Sequence, residues 1–250
     1  MPEAATLSRP SIKDEAWRYA DAGYLADAEV SALNDWQEIA VLAGEQREDT
    51  RVVQAGVERL RVHVGAGARY AMFALNAAGP YARLEVEVTL AEGAHFEFGG
   101  VTVGGGEATQ EFVTRTVHAE PNGTSNQTVR AVHWGKSSGN FLGRIEVVKD
   151  AQKTDAAQNF RALLLEKGAT ANTKPELEIF ADDVQCAHGA AIGQMDEMAH
   201  YYMAARGIPP EAARKLLVQA FIGDAFVEIG EREKGERMIG MALSELEGNL

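Results

Sequence analysis

Short segments of alternating apolar and polar residues recur along the middle of the chain, and this recurrence constrains the fold more than any other feature. In residues 60–64, Leu60 and Val64 fall on one face of a strand and His63 on the other. The same period of two, typical of β-strands, returns in residues 84–90. Further short segments of this kind lie at residues 96–98, 112–117, 128–134, 143–148, 162–165 and 177–181.

Glycine-containing turn signals separate these segments, for example Gly65-Ala66-Gly67 and Lys167-Gly168. Such regular spacing predicts an all-β sandwich, barrel or solenoid. No exact repeat can be read, and periodicity alone does not choose among the three. A set of polar residues assigned to strand edges favours a solenoid, whose coils stack such residues: Gln127, Gln152, Gln158, Asn159, Asn172 and Thr173.

Helical patterns flank the β-rich part on both sides. Near the start, Ser11 and Asp14 resemble a capping box, and Trp17 is expected to anchor this helical element to the main body. Residues 39–42 fit a strand or a helix end equally well. After Gly193, helices are predicted over residues 194–206, from Pro210 onward, and in an amphipathic stretch that reaches residue 246. These last helices would either pack on their own domain or serve as a docking arm.

Charge and cysteine content exclude several classes of function. The formal net charge of −13 argues against a nucleic-acid or acidic-membrane partner, because phosphate binding needs concentrated lysine and arginine. No apolar stretch reaches membrane-spanning length, and no secretory leader pattern is found. The single cysteine excludes an internal disulfide, so we expect a cytoplasmic protein. It also means that the chain cannot by itself hold a metal cluster through several thiolates, so any metal bound here would need ligands from a partner.

Cys186 and His188 form the most specific pair of candidate ligands. They lie two positions apart, just after the alternating segment at residues 177–181. If the chain stays extended there, both side chains leave the same face of the backbone. A soft thiolate beside an imidazole suits iron or zinc better than magnesium or calcium. The sequence therefore predicts a metal site shared with a partner, although free cysteines are often simply buried.

The residues around this pair resemble the core of the SufB/SufD family of iron–sulfur cluster assembly proteins. The resemblance is carried above all by Ala181-Asp-Asp-Val-Gln-Cys-Ala-His-Gly189, followed by Gly193-Gln-Met-Asp196. It is strong over about residues 118–230, and the residues Glu15-Ala-Trp-Arg-Tyr19 resemble the start of SufD in particular. Further matching stretches are residues 118–130, 143–145, 151–155, 159–165, 172–179 and 202–208.

The resemblance implies a right-handed parallel β-helix with helical regions at both ends, divided as residues 1–50, 51–188 and 189–250. It implies a non-catalytic scaffold that pairs with SufB, docks the ABC-type ATPase SufC on its carboxy-terminal helices, and helps to build a nascent iron–sulfur cluster. His188 takes the position of the family's interface histidine, and Cys186 the neighbouring position. A homodimer in the absence of SufB is left open. The chain is short for a SufD and lacks the further cysteines of SufB, which favours the SufD assignment.

Other polar features receive simpler interpretations. Asp182 and Asp183 are adjacent and should point to opposite faces, so one shared acid–base site is not expected. No Gly-Lys-Ser/Thr follows Gly104-Gly105-Gly106, so the ATP site is assigned to a partner. The alternative function is a stand-alone β-solenoid enzyme acting on a sugar or small acid, which would need convergent acids or a metal. The remaining histidines are interpreted as surface or hydrogen-bonded residues: His63, His95, His118, His133 and His200.

Overall fold

The chain winds back and forth between two parallel β-sheets, as shown by a computed structural model that describes residues 8–77 and 79–246. The first sheet contains β1 (Gln37–Val41), β3 (Gly56–Val64), β5 (Tyr81–Leu90), β7 (Thr109–His118), β9 (Ser138–Val147) and β11 (Thr170–Ile179). The second contains β2 (Gln46–Val53), β4 (Arg69–Asn76), β6 (His95–Gly104), β8 (Thr124–His133), β10 (Asp155–Leu164) and β12 (Gln185–Gly193).

Consecutive strands alternate between the sheets, and within each sheet the neighbours are parallel. Each coil therefore adds one strand to each sheet, which is the architecture of a parallel β-solenoid. The prediction of a mainly parallel β-fold with flanking helices is confirmed, and the sandwich and barrel alternatives are excluded. Strands β11 and β12 form the last coil and are edge strands of their sheets.

Apolar side chains from the two sheets meet inside the solenoid. Leu60, Val86 and Val62 are buried there, and the rings of Phe98 and Phe112 meet edge to face at 5.5 Å between centroids. Inward residues of one strand stack on inward residues of the next because parallel neighbours are in register. The alternation seen in the sequence is thus the alternation between this interior and the outer faces.

The turns between coils also stack. In five successive turns one residue adopts a positive φ of 62° to 72°. The N–H of each of the first four donates to the carbonyl just before its counterpart in the next turn, as Gly67 does to Glu92 at 2.8 Å. Glycine is favoured there because a Cβ is disfavoured in this conformation. The five residues are Gly44, Gly67, Gly93, Asn122 and Lys153.

The amino-terminal region covers the outer face of the first sheet. It contains a 3₁₀ turn (Glu15–Trp17), α1 (Ala22–Asp27) and α2 (Val30–Asn34). Trp17 is buried, and the Arg83 guanidinium lies 3.9 Å from its ring centre. The anchoring role predicted for Trp17 is therefore confirmed. The Asp14 carboxylate accepts a 2.8 Å hydrogen bond from the Ser11 N–H, half of the expected capping box.

The carboxy-terminal region covers the second sheet with α3 (Glu197–Ala204), α4 (Pro210–Gly223), a 3₁₀ turn (Asp224–Phe226) and α5 (Arg232–Glu245). Val218 and Leu243 pack against Val101 and Val132 of the sheet. A side chain at Gly99 would meet the Ala225 carbonyl at 1.9 Å, so this glycine permits the close approach. Helices α4 and α5 therefore pack on their own domain, whereas α3 has an exposed face.

The strands extend beyond the predicted boundaries after residues 50 and 188. Residues 39–41 belong to β1, which settles the open choice at that point, and β2 also begins before residue 50. At the other end β12 continues to Gly193, because its pairing with β10 runs as far as the Leu163–Gly193 pair. The division into three domains stays a prediction. None of the helices in the described ranges is long and apolar enough to cross a membrane.

Candidate functional site

Cys186 and His188 lie on the inward face of β12, in the last coil. Cys186 is in register with Ala156 and His188 with Gln158. Cys186 packs against the buried cluster that contains Ile145 and Ala156, which fixes its side as the inward one. His188 follows two residues later on the same strand and shares that side. The expectation that both side chains leave one face of an extended backbone is confirmed.

Their exposure differs because the solenoid ends at this coil. Cys186 is half-buried, whereas His188 is exposed. Burial, with the Asp155 carboxylate adding to it, raises the pKa of the Cys186 thiol. The resting group is therefore a thiol, in contrast to the thiolate expected from the sequence. Metal binding by Cys186 would have to release that proton.

A stack of polar residues leads from the middle of the solenoid to His188. Gln127 of β8, Gln158 of β10 and His188 occupy equivalent registers on adjacent strands. Gln127 and Gln158 are buried inside, so their assignment to strand edges was wrong. Alternation alone could not reveal this, because a glutamine in a period-2 pattern is read as facing solvent. By contrast, Asn140 and Asn172 do stack on the outer face, with a 2.9 Å hydrogen bond between them.

A family model described as "SUF system FeS cluster assembly, SufBD core domain" matches residues 28–221, which contain the whole solenoid. The chain belongs to the SufBD family. A chloroplastic ABCI7 protein of Arabidopsis thaliana is 40% identical over 129 residues, which is 51% of this chain and 27% of that protein. A Synechocystis SufBD family protein is 33% identical over 166 residues, 66% of this chain and 37% of that protein.

Named SufD proteins are among the relatives. The Escherichia coli iron–sulfur cluster assembly protein SufD is 38% identical over 100 residues, 40% of this chain and 24% of that protein. The predicted relationship, most like SufD, is thereby confirmed. The matched parts span well under half of the length of these curated relatives.

The final coil of this SufBD solenoid leaves apolar residues uncovered. Ile179 at the end of β11 is 39% exposed, Phe180 beyond it 63%, and Ile192 of β12 47%. Ile192 points inward, in register with the buried Ala162 of β10. The coil therefore presents Cys186, His188 and Ile192 along one edge strand.

The other histidines of the SufBD core are held by the fold. His118 bonds Ser125 at 2.9 Å, and burial lowers its pKa to about 4. His133 bonds Thr102 and Ser137, each at 3.0 Å, and burial lowers its pKa to about 3. His95 bonds Thr124 at 2.7 Å, and His63 lies 3.7 Å from Glu38. The interpretation as surface or hydrogen-bonded histidines is confirmed for these four, and the side chain of His200 lies outside the described residues.

The site itself offers two candidate metal ligands, Cys186 and His188. Within residues 8–77 and 79–246, no three side chains of histidine, cysteine, aspartate or glutamate are grouped to hold a metal. A groove of about 760 Å³ lies elsewhere, between the end of β10 and α3, with Leu165, Met195 and Tyr201 among its lining residues. It does not include Cys186 or His188.

Proposed function

We propose that the chain is a non-catalytic scaffold subunit of a Suf-type assembly that builds iron–sulfur clusters. Its last coil pairs with a SufB-like protein, its carboxy-terminal helices dock a SufC-like ATPase, and His188 supplies a ligand to the nascent cluster. The observation that carries this proposal is the position of His188, exposed on the inward face of the end coil. Family membership supports the link to cluster assembly.

An uncovered solenoid end suits pairing with another β-solenoid. The backbone groups of an edge strand can bond a further strand, and exposed edges otherwise invite aggregation. Ile179, Phe180 and Ile192 add apolar surface at that end. A SufB-like strand laid along β12 would continue the stack and cover these side chains. This partner strand would also bring residues of the SufB-like protein next to His188.

The nascent cluster is the cargo of this site. Iron in such clusters usually has cysteine ligands, and histidine replaces them in some centres. His188 would supply one ligand, Cys186 with less support a second, and the partner the rest. Cys186 must lose a proton to bind iron, and its raised pKa makes it the weaker candidate. A lone cysteine also suits a reducing compartment, and we propose the cytoplasm.

Helix α3 is the proposed contact for a SufC-like ATPase. Met198, Tyr201 and Tyr202 are 57–73% exposed on a helix that begins four residues after β12 ends. Force applied to α3 would reach β12 directly along the chain. We propose that ATP-driven movement of the partner pulls on this connection and opens the ligand site at His188.

The alternative of a sugar- or acid-processing enzyme finds little support in the carboxylates. Among the described residues, the buried acids are Glu85, Glu97 and Glu111. Glu85 and Glu111 are paired with Arg83, and Glu97 accepts a 2.8 Å hydrogen bond from Asn126. Acids held in this way are not free to act on a substrate. The scaffold function is therefore preferred.

Co-expression tests the scaffold proposal most directly. The chain would be produced with the SufB-like and SufC-like proteins of the same cell, purified through a tag on this chain, and weighed by native mass spectrometry. We expect a complex that contains both partners. A lone monomer or homodimer would contradict the proposal.

Replacing His188 by alanine tests the ligand role. We expect normal assembly of the complex and a loss of most cluster formation, followed by visible absorption during reconstitution. Because His188 is exposed, folding should change by no more than about 0.5 kcal/mol. The matched control is Gln185→Ala, because Gln185 is an exposed residue of β12 on the opposite face from His188. Unchanged cluster yield in His188→Ala would remove this residue from the mechanism.

A further inference from the structure

Gln158 is a buried amide that lacks hydrogen bonds. It is 2% exposed, and neither its Oε1 nor its Nε2 has a partner. Among the described residues it is the one side chain with both of its amide atoms buried and unpaired. Each such group forfeits hydrogen bonds that it makes in water, so a persistent buried amide of this kind calls for a function.

The neighbouring coil shows what a structural glutamine looks like in this position. Gln127 is one strand further inside and is also fully buried. Its Oε1 accepts a 2.6 Å hydrogen bond from the Thr114 hydroxyl, and its Nε2 donates to Thr116 at 3.3 Å. The amide of Gln127 is thus held by the opposite sheet.

The coil of Gln158 offers no such hydroxyl pair. The residue in register with Thr114 is Gly143, and a side chain there would lie 2.1 Å from the Gln158 Oε1. The glycine therefore makes room for the amide without binding it. In the last coil the corresponding positions are Pro175, which has no N–H to donate, and His188. The polar side chain stacked next to Gln158 on the open side is His188.

We propose that Gln158 is a positioning residue for His188. Its amide bonds one imidazole nitrogen from inside the solenoid and leaves the other nitrogen facing the open end, where the partner and the nascent cluster meet. In-register neighbours in a parallel sheet are about 4.8 Å apart, which is within reach of a rotated glutamine side chain. The inference rests on the proposed function, since it assigns Gln158 to the same site.

The chemistry of the two groups fits this role. A neutral imidazole has one N–H and one lone pair, and metal ligation needs the lone pair. Histidines that bind metals usually donate their other N–H to an oxygen of a neighbouring group, which fixes the tautomer and the ring orientation. The Gln158 Oε1 can accept that hydrogen. Without it, the exposed ring of His188 would rotate and exchange tautomers freely.

Gln158→Leu separates this role from a purely structural one. Leucine fills similar volume and removes two unpaired buried polar atoms, so a structural account predicts unchanged or slightly higher stability and nothing else. We expect the ¹⁵N signals of His188 in the full-length chain to change from one predominant tautomer to a mixture. In the complex with the partners, we expect the affinity for Co²⁺ to fall by about 10- to 100-fold.

Gln127→Leu is the matched control, since it lies on the same stack one coil away. It should lower the urea midpoint, because Thr114 and Thr116 lose their partner, and leave the His188 tautomer and Co²⁺ affinity as in the original chain. A Gln158→Leu protein with unchanged tautomer and unchanged affinity would overturn the inference. If His188→Ala leaves the Co²⁺ affinity intact, the ligand role itself fails, whereas the tautomer measurement still reports on the Gln158–His188 contact.

Discussion

A coil from the middle of the solenoid and the last coil have strands of the same type and very different surroundings. Strands β7 and β11 are each ten residues long and belong to the same sheet. On β7 the inward Phe112 and Thr116 are fully buried, whereas on β11 the residues in register with them through β9, Thr173 and Leu177, remain partly exposed. The difference lies in the next coil, which β7 has and β11 lacks.

This comparison teaches that burial in a solenoid is supplied by neighbours and not by the strand itself. An inward side chain needs coils on both sides, and each end of the array leaves one side open. At the end formed by β11 and β12, the open side displays apolar groups and His188. Polar groups in the middle must therefore be paired within the chain, while those at the end can be paired by a partner.

The largest effect is expected at Arg83, in the middle of the first sheet. Its guanidinium is fully buried, bonds Glu85 at 2.9 Å and Glu111 at 3.3 Å, and stacks on Trp17. Arg83→Ala would leave the buried Glu111 carboxylate without its cation, whereas Glu85 would keep its salt bridge to Arg59 at 3.1 Å. We expect the free energy of unfolding, measured in urea, to fall by about 3–5 kcal/mol.

Arg144→Ala is the corresponding change near the end. Arg144 pairs with Glu178 of β11, and both side chains are about two-fifths exposed. Because water screens this pair, we expect a loss of no more than about 1 kcal/mol. Equal losses at Arg83 and Arg144 would break the distinction between the middle and the end.

Lowering the pH is expected to reduce the free energy of unfolding by an intermediate amount. His118 and His133 are buried in the middle coils and have pKa values lowered to about 4 and about 3 from 6.5. In the unfolded chain both histidines bind protons below about pH 6.5, whereas in the folded chain they stay neutral down to about pH 4. Stability is therefore lost as the pH falls from about 6.5 toward about 4. Between about pH 7.5 and about pH 5, each should cost about 2 kcal/mol of unfolding free energy.

Urea titrations at the two pH values measure this loss. The variants His118→Gln and His133→Gln should each flatten the pH dependence by about half, since one titrating group remains. A pH dependence that both variants leave intact would show that other groups govern acid stability.

The strands could be predicted from the sequence because their signal is local. Residues 60–64 and 84–90 alternate, and both lie in strands. The stacking of coils could not be predicted from the sequence, because what repeats from coil to coil is a backbone conformation and not a residue type. The left-handed turn position is Gly93 in one coil, Asn122 in the next and Lys153 in the one after, and the interval between them lengthens along the chain. The polar residues assigned to strand edges favoured a solenoid, and the family resemblance specified the parallel β-helix.

The site could be predicted in part. Cys186 and His188 are a local motif, and period two placed them on one face. The role of Gln158 could not be predicted, because it depends on the residues across the interior of the solenoid. Gly143 lies opposite Gln158, whereas Thr114 lies opposite Gln127 and bonds it. Such pairings join residues of different strands, and no local pattern records them. The raised pKa of Cys186 likewise comes from its burial and from Asp155 on the neighbouring coil.

A small effect on the isolated chain is also expected at Ile192, in the last coil. Its side chain points inward yet is 47% exposed. Ile192→Asp should therefore change the free energy of unfolding by no more than about 0.5–1 kcal/mol, far less than a polar substitution in the middle coils. The same change should abolish co-purification with the SufB-like partner, because a carboxylate would be buried without a cation when the end coil is covered.

Ala191→Asp is the matched control for this substitution. Ala191 is the preceding residue of β12, is exposed, and faces outward, in register with Arg161. It adds the same charge to the same strand on the opposite face, so the partner should still bind. Loss of binding in both variants would point to a general effect of charge on β12. Retention of the partner by Ile192→Asp would show that the open end of the solenoid is not the interface. The difference in burial between the middle coils and the last coil would then have no bearing on partner binding.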